Sequence, residues 1–252
     1  MSRPEHRVRK VAALPRGWFA SWPVALFACL LGSGTAHGQE IDGSIGVSSG
    51  VIVRGFALDG GRPAVQGAVN YYGAGSWLAS LSGAAFRLSS NREWSLQLLG
   101  KLGYAWQLAD DWGAQLSYVH YAYPLNSALR IYERDELIAT AAYRDRLVLS
   151  IAGLRNTRAS ARGSRGSVAY DLVGRYPLQA GVALSAGLGY QDMHHRSGFG
   201  YAYGNLGAGA DLGPRTGDAH LEVSYIVTDA TAKKRLGDEA SNRWTASLAW
   251  AF

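Results

Sequence analysis

The stretch Ser167-Val-Ala-Tyr-Asp-Leu-Val-Gly-Arg-Tyr176 alternates large apolar side chains with small or charged ones. Tyr170 and Leu172 fall on one face of an extended chain, whereas Asp171 and Arg175 fall on the other. Successive side chains of a β-strand point to opposite faces. The stretch therefore predicts a strand with one apolar face and one polar face.

The same period of two recurs through the chain after residue 38, and it is sharp in 94–102, 182–191, 220–228 and 244–252. No segment there shows a helical period over a useful length. We predict twelve strands and accept a range of ten to fourteen, because the register is weakest at 122–146. The predicted strands are 41–54, 64–72, 76–86, 93–105, 112–121, 136–142, 146–154, 166–176, 181–191, 200–211, 219–228 and 243–252.

The bulky apolar face is predicted to point outward. The opposite face is rich in Gly, Ala and Ser with scattered charges, whereas a soluble barrel would fill its centre with large apolar groups. Aromatic residues flank tight turns, with Tyr71 and Trp77 at one and Trp106 and Trp112 at another. Aromatic girdles at two interfaces are typical of a membrane barrel. We predict an all-β, antiparallel, up-and-down transmembrane barrel, whose closure lets every backbone amide pair where lipid offers no partner.

The connections between the predicted strands alternate in length. Those after odd-numbered strands are mostly longer than those after even-numbered strands, such as Gly73-Ala-Gly75. Outer-membrane barrels have short periplasmic turns and longer external loops. With an even number of strands, this pattern predicts that both ends of the barrel domain are periplasmic. The small residues of the inner face leave room for an internal loop, and the long connection 122–135 is our candidate for a constriction inside the lumen.

Composition excludes several classes of protein. The 252 residues are only 17% charged and contain 32 glycines, 8 tryptophans and 14 tyrosines, which argues against a disordered tail, a coiled coil or a collagen-like fibre. The net charge of +6 is concentrated in residues 1–38, which carry +4, so the remainder carries only +2. We therefore expect no nucleic-acid partner.

The first 38 residues are predicted to be a secretory signal peptide, with the barrel domain spanning 39–252. A basic stretch ends near Arg16, an apolar run of about 14 residues follows, and small residues lead to a cleavage point near Gly38. The apolar run is shorter than the roughly 20 residues that a membrane-spanning helix needs. The sole cysteine, Cys29, lies inside this segment, so the mature chain is predicted to have no disulfide or cysteine metal site.

Two short segments resemble the opening of a known family. Arg54-Gly55 ends the first predicted strand, and Pro63-Ala-Val-Gln-Gly67 follows as a turn and strand. These segments resemble a proteobacterial family of unknown function labelled TorF-type porins. The resemblance implies an outer-membrane barrel in a Gram-negative bacterium and implies no catalytic residues. The terminal Phe252, at the end of an amphipathic strand, also resembles the assembly signal of outer-membrane barrels.

Motifs for chemistry are weak. Gly46-Val-Ser-Ser-Gly50 fits the G-x-S-x-G pattern of hydrolases, but it lies in a predicted strand with no helix after it. His194 and His195 are adjacent, so on an extended chain they would point apart and chelate a metal poorly. We expect no cofactor, no metal and no enzymatic activity. One alternative remains open, a barrel-embedded lipid hydrolase that uses His120 or His220 with a hydroxyl from a neighbouring strand.

Basic residues gather in two connections predicted to be external. They are expected to touch lipopolysaccharide phosphates, which arginine binds with paired hydrogen bonds, or to draw anionic solutes towards the barrel mouth. These residues are Arg155, Arg158, Arg162, Arg165, Lys233, Lys234 and Arg235.

The polar faces of the strands supply the candidate pore lining. Our leading hypothesis is a small passive channel for hydrophilic solutes or ions; a closed structural barrel that binds lipopolysaccharide or a partner through its loops is the first alternative. The oligomeric state and the solute are left open by the sequence. The pore-lining candidates are Arg54, Gln97, Lys101, Gln115, Asp171, Arg175, Gln191 and Glu222.

Overall fold

Twelve antiparallel strands form a closed barrel in the computed structural model of the protein, which describes residues 39–88, 93–144, 146–157, 166–179, 181–213 and 218–252. The predicted signal peptide, residues 1–38, lies outside the described residues. The barrel strands are β1 (Glu40–Ser48), β4 (Ala64–Tyr72), β5 (Trp77–Arg87), β6 (Trp94–Ala109), β7 (Trp112–Ala122), β8 (Arg134–Tyr143), β9 (Leu147–Asn156), β10 (Ser167–Gln179), β11 (Val182–Asp192), β12 (Gly200–Asp211), β13 (Ala219–Thr228) and β14 (Arg243–Ala251).

Two further strands, β2 (Ile52–Val53) and β3 (Phe56–Ala57), form a small hairpin between β1 and β4. Helix α1 (His194–Ser197) connects β11 to β12, and helix α2 (Ala230–Leu236) connects β13 to β14. Short 3-10 helices occupy Ala74–Ser76, Ser127–Tyr132 and Gly237–Ala240. No helix among the described residues is long and apolar enough to cross a membrane.

Each barrel strand pairs with its neighbours in sequence, and the first and last strands close the ring. Strands β1 and β14 pair from Ser44 with Ala251 to Ser48 with Ser247. Beyond them, Gly43 and Phe252 exchange two backbone hydrogen bonds, of 2.9 and 3.0 Å. The closed ring leaves no strand edge of the barrel unpaired, which is the condition for β-structure in lipid.

The apolar faces point outward, as the alternation predicts. Leu81, Leu102, Leu172 and Leu188 are all exposed, between 41% and 68%, on the outer surface. The strands have 9 to 16 residues, enough for a tilted strand to cross the hydrocarbon layer. The prediction of a twelve-stranded antiparallel transmembrane barrel is confirmed.

Exposed aromatic side chains form two belts on the outer surface. We call the ends of the barrel the short-turn end, where β4 meets β5, and the long-loop end, where β1 meets β4. The predicted girdle residues are found on the outer face at the short-turn end. The short-turn belt consists of Tyr71, Trp77, Tyr104, Trp106, Trp112 and Trp250, and the long-loop belt of Trp94, Tyr170, Tyr190 and Trp244.

Candidate functional site

The eight predicted pore-lining residues are all inward-facing or buried, but they do not form one evenly exposed wall. Six of them are less than 10% exposed: Arg54, Gln97, Lys101, Gln115, Asp171 and Gln191. Arg175 and Glu222 are of intermediate exposure. Side chains that line a wide aqueous pore would be more accessible than the buried six, so the lumen is narrow at their level in this conformation.

The narrowing comes from residues 49–63, which fold into the barrel and which we call the inserted hairpin. Its tip is the pair Arg54 and Gly55, at φ +50° and +78°. Positive φ at both central residues is the signature of a tight hairpin turn, which glycine favours. The sequence predicts one continuous strand over 41–54; the structure instead ends β1 at Ser48 and turns the chain inward.

Asp59 fixes the base of the inserted hairpin. Its carboxylate accepts hydrogen bonds from the backbone amides of Val51 (2.6 Å) and Gly61 (2.8 Å). Burial raises the pKa of the Asp59 carboxyl above its ordinary value, against the smaller opposing effect of these amide hydrogen bonds. Asp59 therefore joins the two ends of the loop that carries the hairpin.

The tip of the hairpin reaches a strand on the far side of the barrel. Arg54 donates from Nη1 to Oε1 of Glu136 (3.1 Å) and from Nη2 to Oε2 (2.7 Å). Glu136 lies on β8, which β4, β5, β6 and β7 separate from β1 along the shorter arc of the ring. The ion pair thus spans the lumen, and its paired hydrogen bonds fix the orientation of the guanidinium.

A second arginine shares the Glu136 carboxylate. Arg134 donates from Nε to Oε1 of Glu136 (2.6 Å), and its guanidinium carbon lies 3.7 Å from the centroid of the Tyr121 ring. Stacking on an aromatic face suits the planar, weakly hydrated guanidinium. This cluster of two arginines and one glutamate has more positive than negative charge.

The hairpin tip also packs against β12 and β13. A Cβ added to Gly55 would lie 2.8 Å from both Tyr203 Cβ and Thr228 Cγ2, so the backbone approaches this wall as closely as a glycine allows. The Tyr203 hydroxyl donates to Asp171 (2.6 Å), which orders that part of the wall. Wider side chains at position 55 would push the hairpin away from the wall.

An apolar layer covers the hairpin at the long-loop end. Val51 and Leu58 pack in one cluster with Tyr123 and Leu129 of the 122–135 connection, and the rings of Phe56 and Tyr132 lie 6.2 Å apart. This corrects our expectation for 122–135: residues 49–63 constrict the lumen, and 122–135 packs over them. An inward loop needs its own apolar contacts to remain docked, and this cluster supplies them.

Between the hairpin and the short-turn end, inward polar groups meet few protein partners. Neither side-chain polar atom of Gln115 has a hydrogen-bond partner among the described residues, and the same holds for the hydroxyls of Ser117, Thr140 and Ser185. Buried polar groups without a protein partner are ordinarily satisfied by water. This half of the lumen is therefore lined by polar groups that bond little to the rest of the protein.

Two residues of opposite charge lie near each other in that polar half. Arg175 on β10 and Glu222 on β13 are separated in the ring by β11 and β12, and they are within electrostatic range of each other. The Ser224 hydroxyl donates to Glu222 (3.0 Å). Both residues are of intermediate exposure, unlike the six buried candidates.

At the long-loop end, helix α1 brings a third arginine towards the lumen. Arg196 is half-buried and donates from Nη1 to Oδ1 of Asn156 (2.9 Å). Asn156 lies directly opposite Arg134 in the register of β8 and β9. Burial, and to a smaller extent the positive charge of Arg134, lower the pKa of Arg196 below its usual value. Positive charge is thus concentrated on the long-loop side of the inserted hairpin.

The predicted external basic residues do not form one patch among the described residues. Arg155 is exposed at the long-loop end of β9, and Lys233, Lys234 and Arg235 are exposed on α2. Arg158, Arg162 and Arg165 lie outside the described residues. Both described groups are at the long-loop end, the end that we predict to be external.

His120 and His220 each pair with an aspartate, and neither has a serine or threonine partner in the described part of the chain. His120 bonds Asp135 (2.8 Å) on the outer wall, and His220 bonds Asp211 (2.7 Å). Ser48 of the G-x-S-x-G pattern lies in β1 and donates to the Gly50 carbonyl. Among the described residues, neither imidazole is hydrogen-bonded to a hydroxyl that it could activate as a nucleophile.

His194 and His195 occupy helix α1, and both are exposed. No group of three or more His, Cys, Asp or Glu residues is placed to hold a metal ion within the regions that the structure describes. The predicted poor chelation by this pair rests on an extended chain, whereas the structure places them on a short helix.

Sequence reasoning missed several members of the lumen cluster: Arg134, Glu136, Tyr121, Tyr203 and Arg196. Arg134 and Glu136 alternate with Asp135 and Leu137, so period two could have placed them on the inner face had β8 been predicted to begin at 134. Tyrosines on the inner face carry no such signal, because tyrosine also suits the outer belts. Arg196 lies in a loop, where periodicity says nothing.

A family model described as a bacterial protein of unknown function, Gcw_chp, matches residues 33–252. The chain belongs to this family. No curated protein matches the sequence of this Gcw_chp member. Solved structures similar to it include the KdgM porin, at 10% identity and a TM-score of 0.52, covering 84% of this chain and 98% of that one. The COG4313 outer membrane channel from Pseudomonas putida F1 is similar at 13% identity and a TM-score of 0.46, covering 86% of this chain and 96% of that one.

Proposed function

We propose that this Gcw_chp protein is an outer-membrane channel for small hydrophilic solutes or ions, narrowed by its inserted hairpin. The observation that carries the proposal is the contrast between the two barrel surfaces. The outer surface presents apolar side chains between two aromatic belts, while the inner surface holds charged and hydroxyl groups along its length. A polar interior within an apolar wall is the arrangement of membrane barrels that conduct.

The location and processing of the chain belong to the same proposal. Residues 1–38 act as a signal peptide cleaved near Gly38, and the barrel inserts into the outer membrane with its long-loop end outside. Arg155 and the basic residues of α2 then lie near the lipopolysaccharide phosphates. The TorF-type porin label, suggested by Arg54-Gly55 and Pro63–Gly67, fits this function.

The charge of the lumen indicates how such a channel would select. Arg196, Arg134 and Arg54 follow one another from the long-loop end inward. Glu136 is the counter-charge that Arg134 and Arg54 share. Selectivity in such pores arises from radius and from lining charge. We propose a preference for anions at the long-loop end, modulated by Arg175 and Glu222 at the other end.

One observation favours a second candidate function, a closed barrel that acts through its loops. The ion pair between Arg54 and Glu136 and the apolar cluster around Leu58 together fasten the inserted hairpin across the lumen. A permanently docked hairpin would leave the barrel closed, as in small barrels filled by their own side chains. The two candidates differ only in whether the path past the hairpin conducts.

Planar-bilayer recording separates the two candidates. Refolded, heat-modifiable wild-type protein is compared with a variant in which residues 50–62 are replaced by a short Gly-Ser linker. A channel gives discrete current steps in the wild type and larger steps in the variant. Current from the variant alone supports the closed barrel, and silence from both folded proteins contradicts the channel proposal.

A further inference from the structure

We propose that Arg134 and Arg196 form a binding subsite for a carboxylate-bearing solute on the long-loop side of the inserted hairpin. This assignment deepens the proposed function, on which its role as a solute entrance depends. The evidence for the site itself is the position of the two guanidinium groups and the N–H donors on them that an added anion could bind.

The first observation is an unsatisfied buried donor. Arg134 is 8% exposed; it uses Nε for Glu136 and Nη1 for the carbonyl of Tyr132, while its Nη2 has no hydrogen-bond partner among the described residues. Buried polar groups are nearly always hydrogen-bonded. The unpaired Nη2 of Arg134 can donate a hydrogen bond to an added acceptor, and that bond is strongest when the acceptor is an anion.

A shortage of negative charge accompanies this open donor. Three arginines, Arg54, Arg134 and Arg196, lie near two lumen carboxylates. Glu136 is shared by Arg54 and Arg134, and Asp171 is within electrostatic range of Arg54. The Nε of Arg54 is also buried, with no hydrogen-bond partner in the described part of the chain. An additional carboxylate beside Arg134 would neutralise the excess positive charge. A cation at the same place would be repelled by these arginines.

The second observation is the accessible arginine next to it. Arg196 is half-buried, so solutes can reach it from the long-loop end. Its Nη1 bonds a neutral amide oxygen, that of Asn156, which lies opposite Arg134 in the sheet. A carboxylate competes well for this guanidinium, because charge-assisted hydrogen bonds are roughly twice as strong as neutral ones.

The geometry defines the chemical class of the ligand. A carboxylate has two oxygens in one plane, and it can accept from Arg196 with one oxygen while the other faces Nη2 of Arg134. Arg196 leaves Asn156 to make this bridge, and Asn156 keeps its own bond to the carbonyl of Ile131 (2.6 Å).

The test is a titration of folded protein in detergent micelles with succinate, followed by calorimetry. Wild type is expected to bind succinate and to ignore succinamide, the neutral analogue of the same shape. Replacing Arg196 with glutamine is expected to weaken succinate binding roughly tenfold or more, the loss that follows from removing a charge-assisted hydrogen bond.

The matched control is Arg87→Gln. Arg87 ends β5 at the long-loop end, and its side chain is exposed on the outer face. This variant removes the same charge from the same end of the barrel, and it should bind succinate within about twofold of wild type, a difference of under half a kcal/mol. Heat-modifiable gel mobility verifies that both variants are folded.

The subsite is overturned if wild type does not bind succinate, if succinamide binds equally well, or if Arg196→Gln and Arg87→Gln lose the same affinity. These outcomes are independent of conduction. If succinate binding depends on Arg196 but the protein carries no ion current, the subsite stands and the channel proposal fails. If the protein carries current but does not bind succinate, the channel proposal stands and the subsite fails.

Discussion

Arg54 and Glu136 lie 82 positions apart in the sequence and meet across the width of the barrel, with both nitrogen–oxygen contacts at 3.1 Å or less. The pair joins the tip of the inserted hairpin to β8, a strand that pairs with neither β1 nor β4, the strands that flank the hairpin. Glu136 is fully buried and also accepts from Arg134. The ion pair therefore attaches the inserted hairpin to the barrel wall.

Breaking this pair should be costly for stability. We expect Arg54→Ala and Glu136→Gln each to lower the free energy of unfolding by about 3 kcal/mol, because each leaves buried charge without its partner. The double variant should lose less than the sum of the two single losses, since the groups interact directly. Urea unfolding of the refolded barrel in lipid vesicles measures all three. Strictly additive losses would contradict the pairing.

Gly55 should tolerate no side chain. In Gly55→Ala the new Cβ would collide with Tyr203 and Thr228, and the positive φ would add strain. We expect the hairpin to leave the lumen and channel conductance to rise. Gly75→Ala is the matched control, because Gly75 has a similar φ of +74° in a short turn but open space around it. Equal conductance in the two variants would argue against the close packing of the hairpin.

Glu222 should influence ion selectivity from the short-turn end. Glu222→Gln removes a partly exposed negative charge from the lumen while Arg175 remains, so the preference should move towards anions. The shift in reversal potential under a salt gradient measures this change. Asp110→Asn, in an exposed turn at the same end, should leave the reversal potential unchanged; a shift of the same size there would indicate a general effect of charge.

Docking of the hairpin should weaken as the pH rises. Because burial raises the pKa of Asp59 in the docked state, protons bind that state more tightly than the undocked one. The stabilisation is therefore present at acid pH and is lost as the pH rises through the raised pKa. Proteolytic cleavage within 49–63, measured from acid to neutral pH, should increase more steeply in wild type than in Asp59→Asn. Parallel profiles would show that another group is responsible.

Sequence reasoning predicted the barrel well because period two is a local property. The strands Ala64–Tyr72, Gly200–Asp211 and Ala219–Thr228 have the predicted bounds to the residue. Alternation also identified the inner face at Lys101 and Asp171, since a slip of one residue would move every apolar side chain inward. The face that alternation assigns to the apolar side chains is the outer face of the barrel in these strands.

The contents of the lumen are harder to predict. Alternation tells which face of a strand a side chain occupies, but it does not tell how deep in the barrel that side chain lies or which residue it contacts. Arg54 was assigned to the inner side, but the ion pair with Glu136 depends on a chain reversal at Arg54-Gly55. The Asp59-Gly60-Gly61 segment carries a turn signal, yet nothing in the sequence says that the resulting loop folds inward. That direction is determined by apolar contacts with Tyr123 and Leu129, which come from a distant connection.

The reciprocal hydrogen bonds between Gly43 and Phe252 have a consequence for biogenesis. They join the first barrel strand to the last, so closure of the ring requires the two most distant strands of the barrel sequence to meet. Until that seam forms, β1 and β14 each present a row of unpaired backbone groups to which another chain could bind. Deleting Phe252 would remove both bonds and is expected to weaken the seam.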